Sequence, residues 1–386
     1  MKKILCAILV LIMTLSVFVC CLSIGTSADG NITKSFSAML IDGGTGMSQI
    51  DVDESQKLLT VDIISDTHIG ASGASGVVRS CIQRIESERG SIDALIIPGD
   101  LTNGGDEPEF AEFYNILNTY SGSAIVANGN HDYGSFSSTD IHRPIALKYR
   151  NQYKGISSDK NYYSTDIKGC KVIVLGDEGN KPNSGTISRE QLEYLRSEVA
   201  EGAKDGAPVF VIAHWPLRNT NGERFSWPII PGGAFSKNTS DEILSILSAY
   251  PNVFYISGHL HAGLNGRLTR TILNACCVEK HNGVTCINAP SCGKSNHMGY
   301  FGKGTGMRMS VYKDRVIIEG RNYESGEWLT RYVYDVPLSV EPVIPGELPG
   351  PATETDPVPA TSSDADVSVS PVTPTDTGYE DLRPAA

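Results

Sequence analysis

Leu58-Leu59-Thr60-Val61-Asp62-Ile63-Ile64-Ser65-Asp66-Thr67-His68 is the stretch that decides the fold, because an apolar run of strand length ends there in a carboxylate and an imidazole. Runs of this kind, rich in β-branched residues and closed by polar or turn residues, read as buried strands. The same arrangement recurs four times. Ala94 to Ile97 precedes Gly99-Asp100, and Ala124 to Ala127 precedes Gly129-Asn130-His131-Asp132. Val209 to Ile212 precedes His214, and Val253 to Ile256 precedes Gly258-His259-Leu260-His261. In open α/β sheets, ligands bind beyond the carboxyl ends of the strands. Five polar motifs in one register are therefore expected to converge on a single rim.

Helical patterns alternate with these strands. Val77, Val78, Cys81, Ile82 and Ile85 form one apolar face, and Phe110, Phe113 and Leu117 form another behind Asp106 and Pro108. Ser188 with Gln191 reads as a capping box, and Thr239 with Glu242 as a second one before Ile243, Leu244 and Leu247. Such β-α units predict parallel pairing. After the last motif only strands are expected, over Met307 to Tyr312, Arg315 to Tyr323 and Trp328 to Tyr334, joined as an antiparallel meander.

The two ends of the 386-residue chain differ from this middle. In residues 1–28, Lys2 and Lys3 precede a long apolar run and Thr26-Ser27-Ala28, which reads as a secretory signal peptide, with an uncleaved N-terminal membrane anchor as the alternative. Residues 29–49 are a lead-in, 50–336 the catalytic domain, and 337–386 an acidic tail rich in Pro, Thr and Ser, expected to be disordered. A secreted or cell-surface protein is the corresponding expectation. Loss of Lys2 and Lys3 takes the net charge from −12 to −14; nine acids against Arg383 give the tail −8, which leaves −6 for the rest. No Lys/Arg cluster marks a surface for phosphate polymers, so nucleic-acid polymers are not expected as partners. Outside the signal lie Cys81, Cys170, Cys276, Cys277, Cys286 and Cys292. A disulfide from Cys276 or Cys277 to Cys286 or Cys292 is one expectation for an exported chain, and buried thiols are the other.

The motif series Asp-x-His, Gly-Asp, Gly-Asn-His-Asp, His and Gly-His-x-His resembles that of the calcineurin-like metallophosphoesterase superfamily, over Asp66 to His261. The resemblance implies an α/β fold, a four-layer αββα sandwich of two mixed β-sheets flanked by helices. It implies one metal on Asp66, His68, Asp100 and His261, and another on Asp100, Asn130, His214 and His259. Two ions roughly 3.5 to 4 Å apart need a bridging anion, and the Asp100 carboxylate is the candidate. Imidazole mixed with carboxylate points to Mn, Fe or Zn, as divalent or trivalent ions. A water shared by both ions would ionise near neutral pH and attack phosphorus in line. His131 is the expected general acid, with Asp132 holding its imidazole.

Purple acid phosphatases carry a tyrosine ligand where this chain has Asn103, so a ferric-tyrosinate site is not expected. Gly99-Asp100-Leu101-Thr102-Asn103-Gly104 instead resembles the branch of class III cyclic-nucleotide phosphodiesterases and glycerophosphodiesterases. The expected activity is hydrolysis of a small phosphomonoester or phosphodiester. A nucleotide pyrophosphatase and a non-catalytic surface binding module are the alternatives. Tyr133, His142 and Arg143 stand close enough in sequence to contact substrate, whereas His281 and His297 belong to no motif. Gly134 to Tyr163, Arg218 to Lys237 and Cys292 to Gly306 are the expected selectivity loops. Oligomeric state is not legible.

Overall fold

The computed structural model describes residues 50, 52–134, 139–155, 157–179, 185–223, 233–265, 276–297, 300 and 302–339. The expected signal, lead-in and nearly all of the tail lie outside the described residues.

Twelve strands among the described residues form two six-stranded sheets. In the first, β1 (Lys57–Ile63), β2 (Ala94–Ile97) and β3 (Ser123–Val126) run parallel, and β10 (Thr305–Tyr312), β11 (Arg315–Asn322) and β12 (Glu327–Pro337) continue it as an antiparallel meander, in the order β12-β11-β10-β1-β2-β3. The second sheet has the order β4-β5-β6-β7-β9-β8. Its inner strands β5 (Cys170–Val174), β6 (Val209–Ile212), β7 (Val253–Ser257) and β9 (Val284–Asn288) are parallel, and its edges β4 (Tyr163–Ile167) and β8 (Val278–His281) are antiparallel. The expected mixed sheets are present.

Alternation along the strands makes the layers. Leu59, Val61, Ile63, Ile96, Ile212 and Ile256 enter the core between the sheets. Their strand neighbours Leu95, Ile97, Val126, Val211 and Tyr255 point the other way, into the core shared with the helices. Strands covered on both faces read as continuous apolar runs, which is why the five motif strands stand out in the sequence. The α-helices among the described residues are α1 (Ala74–Ser87), α2 (Glu107–Leu117), α3 (Thr139–Lys154), α4 (Arg189–Ala203) and α5 (Lys237–Leu247). Val78, Cys81, Ile82 and Ile85 of α1 are buried as their spacing predicts.

Four details depart from the sequence reading. Helix α3 occupies most of the expected loop from Gly134 to Tyr163. Pro144 inside it hides the pattern, although Ile145, Ala146, Tyr149 and Tyr153 all pack on the core. The cap of α5 is Ser236, whose Oγ accepts from the Thr239 N–H at 3.2 Å, rather than Thr239 itself. Neither edge hairpin, β4-β5 or β8-β9, is predicted by hydrophobic pattern alone. All six described cysteines are buried free thiols, so no disulfide joins Cys276 or Cys277 to Cys286 or Cys292.

Candidate metal centre

The carboxyl ends of β1, β2 and β3 deliver Asp66, His68, Asp100 and Asn130, and those of β6 and β7 deliver His214, His259 and His261. All seven meet at one end of the seam between the sheets. Asp66, His68, Asp100 and His261 offer one set of ligand atoms within 4.8 Å of one another, and Asp100, His214 and His259 offer a second. Asn130 joins the second set, with its Oδ1 3.1 Å from His214 Nε2. Asp100 is common to both.

Backbone conformation is unusual here. Asp66, His68, Asp100, His259 and His261 all have positive φ, between 46° and 72°. L-residues adopt this region at a cost of about 1 kcal/mol or more, and Asp, Asn and His tolerate it best. The chain turns sharply after each strand and so aims the side chain back over the strand end. Gly129 lies so close beneath that a Cβ there would sit 2.2 Å from Asp100 Oδ1.

The donor set suits cations. His68 Nε2 faces His261 Nε2 at 3.1 Å, and His214 Nε2 faces His259 Nδ1 at 3.1 Å. Two such pairs of imidazole nitrogens beside two buried carboxylates form acceptor-rich pockets that a cation can satisfy. His214 Nδ1 donates to the Pro98 carbonyl at 3.0 Å, which leaves Nε2 as the ligating atom. Burial opposes ionisation of Asp100, but the His214 and His131 imidazoles outweigh it and hold the carboxyl well below the usual range. Burial likewise opposes ionisation of Asp66, and His261 and His214 reverse the balance. Burial depresses the His214 imidazole, yet Asp100 and Asp66 raise it to about 9. Metal uptake at neutral pH would therefore release a proton from His214.

His131 stands apart from the two sets. Its backbone N–H donates to Asp100 Oδ1 at 3.0 Å, and its Nδ1 lies 2.6 Å from the Asn103 carbonyl. A proton on Nδ1 makes this a hydrogen bond and leaves Nε2 for chemistry. Its ring meets that of His68 edge to face, with centroids 4.6 Å apart. Asp132 does not hold this imidazole. Its carboxylate is turned inward and accepts from Leu101 N at 3.1 Å, Thr102 N at 2.8 Å, Thr102 Oγ1 at 2.7 Å and Gly129 N at 2.8 Å. Asp132 thus clamps the two loops that carry Asp100 and Asn130, and Asn103 is the group that orients His131. A backbone carbonyl leaves no mark in a side-chain motif, which is why the sequence pointed to the neighbouring carboxylate instead.

A cavity of about 410 Å³ opens over the centre, lined by Asp100, Asn130, His131, His259 and His261 together with Lys294 and His297. Sequence reasoning missed the last two, although both fall in the expected loop from Cys292 to Gly306. Tyr133, His142 and Arg143 do not line it: Tyr133 is fully buried, His142 Nδ1 contacts the Gly105 carbonyl, and Arg143 stacks on Tyr133 and donates to the Gly179 carbonyl.

Fold and centre together are those of a protein built to hold two metal ions side by side, and the chain belongs to the calcineurin-like phosphoesterase family, whose sequence profile matches residues 59–263. A relative in Rhodococcus erythropolis, named a probable cyclic nucleotide phosphodiesterase, is 32% identical over 165 residues, 40% of this chain and 51% of that one. A relative of the same description in Rhodopseudomonas palustris is 24% identical over 216 residues, 53% of this chain and 72% of that one. The chain spans about half the length of the Rhodococcus relative. Among solved structures, a dimetal phosphatase from Danio rerio superposes with a TM-score of 0.53 at 16% identity, over 73% of this chain and 100% of that one. A purple acid phosphatase from yellow lupin gives 0.52 at 13% identity, over 72% and 53%. These two likenesses speak to the fold.

Proposed function

We propose that the protein is an exported hydrolase of small phosphomonoesters or phosphodiesters, with one metal on Asp66, His68, Asp100 and His261 and the other on Asp100, Asn130, His214 and His259. The observation that carries this reading is the position of Asp100, one carboxylate shared by two convergent ligand sets. Bound ions of the Mn, Fe or Zn type would supply Lewis acidity toward phosphate oxygens and a nucleophilic water at neutral pH.

The chain's own residues do the rest. His131, with its Nδ1–H on the Asn103 carbonyl, lines the cavity and, as the imidazolium that carries a second proton on Nε2, gives that proton to the leaving oxygen and is left as the neutral ring. Asp132 keeps the loops of Asp100 and Asn130 in register from behind. Export rests on the signal-like residues 1–28, and the names of the relatives favour cyclic nucleotides as the first diesters to try.

Metal analysis followed by a panel of phosphate esters tests the proposal, with manganese, zinc and iron each supplied. Two equivalents of metal per chain and turnover of a monoester or diester are expected. Cleavage confined to diphosphate bonds would move the protein to the pyrophosphatases. Neither metal nor turnover would leave a surface binding module.

A further inference from the structure

The loop from Ser291 to His297 is fastened to the metal centre along its whole length. Cys292 N donates to the Ser65 carbonyl at 2.8 Å and Gly293 N to the Asp66 carbonyl at 3.1 Å. Ser291 Oγ donates to the Asp66 carbonyl at 3.1 Å, and His297 N to the His261 carbonyl at 2.9 Å. Asn296 closes the loop on itself, accepting from Ser291 N at 2.7 Å and donating to the Ser291 carbonyl at 3.0 Å. Only glycine fits at 293, where a Cβ would lie 1.9 Å from the Thr67 carbonyl oxygen.

Every one of these contacts is made by backbone, Ser291 or Asn296; none needs the side chain of Lys294. Lys294 N is held on Ser291 Oγ at 3.1 Å, so its Cα is fixed while its half-buried side chain reaches the cavity wall beside His259 and His261. Among the described residues, no ion pair engages its ammonium, and Asp100, Asp66 and Glu109 act on it only through space. A partly desolvated cation in a rigid position, without a paired carboxylate, is costly unless an anion arrives.

We infer that Lys294 is a phosphate-binding residue, whose ammonium pairs with a non-bridging oxygen of the substrate phosphoryl group in the cavity that His131 also lines. The inference rests on the phosphoesterase reading of the same site and adds to it a specific contact. An ammonium is a non-directional point charge, so it serves phosphoryl groups carried on different leaving groups and gains most from a dianion.

Calorimetric binding of inorganic phosphate to the manganese-loaded full chain provides the test, read on equilibrium affinity rather than turnover. Lys294→Gln is expected to weaken phosphate binding by about tenfold or more with metal content unchanged, and Lys294→Arg to restore most of it. Phosphate affinity within about twofold of the parent in a fully metallated Lys294→Gln protein overturns the inference and leaves the proposed function standing. A change in metal content alone, with phosphate affinity kept, also overturns it. A parent protein that takes up two metals and does not bind phosphate overturns the inference, while turnover of the ester panel decides the proposed function separately.

Discussion

Replacing Asp132 by alanine removes the one acceptor for three backbone N–H groups, those of Leu101, Thr102 and Gly129, and for the Thr102 hydroxyl. The hydroxyl can rotate to another partner; the three amides cannot, because Asp132 is fully buried and the loops are packed. A buried donor left unsatisfied costs about 1 to 3 kcal/mol, and a water entering the vacated space recovers part, so a loss of about 3 to 6 kcal/mol is expected. Burial and the Asp100 charge push the Asp132 carboxyl up to about 7, against the donors that favour its ionised form. Its charge is therefore a cost to the fold at neutral pH rather than a gain, and the hydrogen bonds carry the stabilisation. Asp132→Asn separates the two contributions. With its amide nitrogen toward Thr102, asparagine keeps an oxygen for Leu101 and Gly129 and strands only Thr102 N, for a loss of about 1 to 2 kcal/mol. Equilibrium urea unfolding of metal-free protein at pH 7, followed by tryptophan fluorescence, measures both differences. An alanine variant within about 1 kcal/mol of the parent would refute the clamp. So would an asparagine variant of full stability with an altered pH-rate profile, since that is the signature of a carboxylate orienting His131.

Two further outcomes follow from named groups. His131→Ala should keep both metals and lose about 10²- to 10⁴-fold in kcat on alkyl phosphates, with a much smaller loss on p-nitrophenyl esters, whose leaving group needs no proton; equal losses on both would remove His131 as the acid. Lys154 is half-buried with its Nζ on the Ala124 carbonyl, and burial reinforced by the Arg150 charge pushes it down to about 8 from 10.5. Between those pH values the unfolded chain keeps a proton that the folded chain releases, so this lysine makes stability rise with pH across that window. Lys154→Met should be more stable at pH 7 by about 2 kcal/mol, a shift worth about 3 less about 1 for the abandoned carbonyl, and should lack that increment; parallel pH-stability curves for the two proteins would refute the assignment.

Sequence made the five motif strands legible because each is covered on both faces, so burial wrote a mainly apolar run before every motif, broken in β1 only by the buried Thr60 and Asp62. The seven ligand candidates named from the sequence come together in space, since a motif residue at a strand end needs no tertiary knowledge to locate. The edge strands carry a weaker apolar signal, as the burial of β4 and β8 shows. Their turns still announced them: Asn282-Gly283, with φ of 48° and 85°, and Lys168-Gly169, with φ of 49° and 85°, match the two-residue turns that join hairpins. The clustered cysteines around 276 to 292 drew a covalent reading from a segment whose message was the turn. Backbone partners explain the other gaps. Asn103 acts on His131 through its carbonyl, and Lys294 gains its place from the bonds of its neighbours, so neither is visible as a side-chain pattern.

Each ligand set draws on both sheets: His261 completes the group begun by Asp66, His68 and Asp100, and His214 with His259 completes the one begun by Asp100 and Asn130. The two halves of the sandwich also meet across an apolar seam and through backbone bonds such as that from Cys292 N to the Ser65 carbonyl. Bound ions would act there as rivets, and at about a hundred times its dissociation constant each would add about 2.7 kcal/mol that no unfolded chain shares. Melting temperature should then track free metal, so the protein would be sturdy where metal is plentiful and vulnerable at one end of its sandwich where metal is scarce.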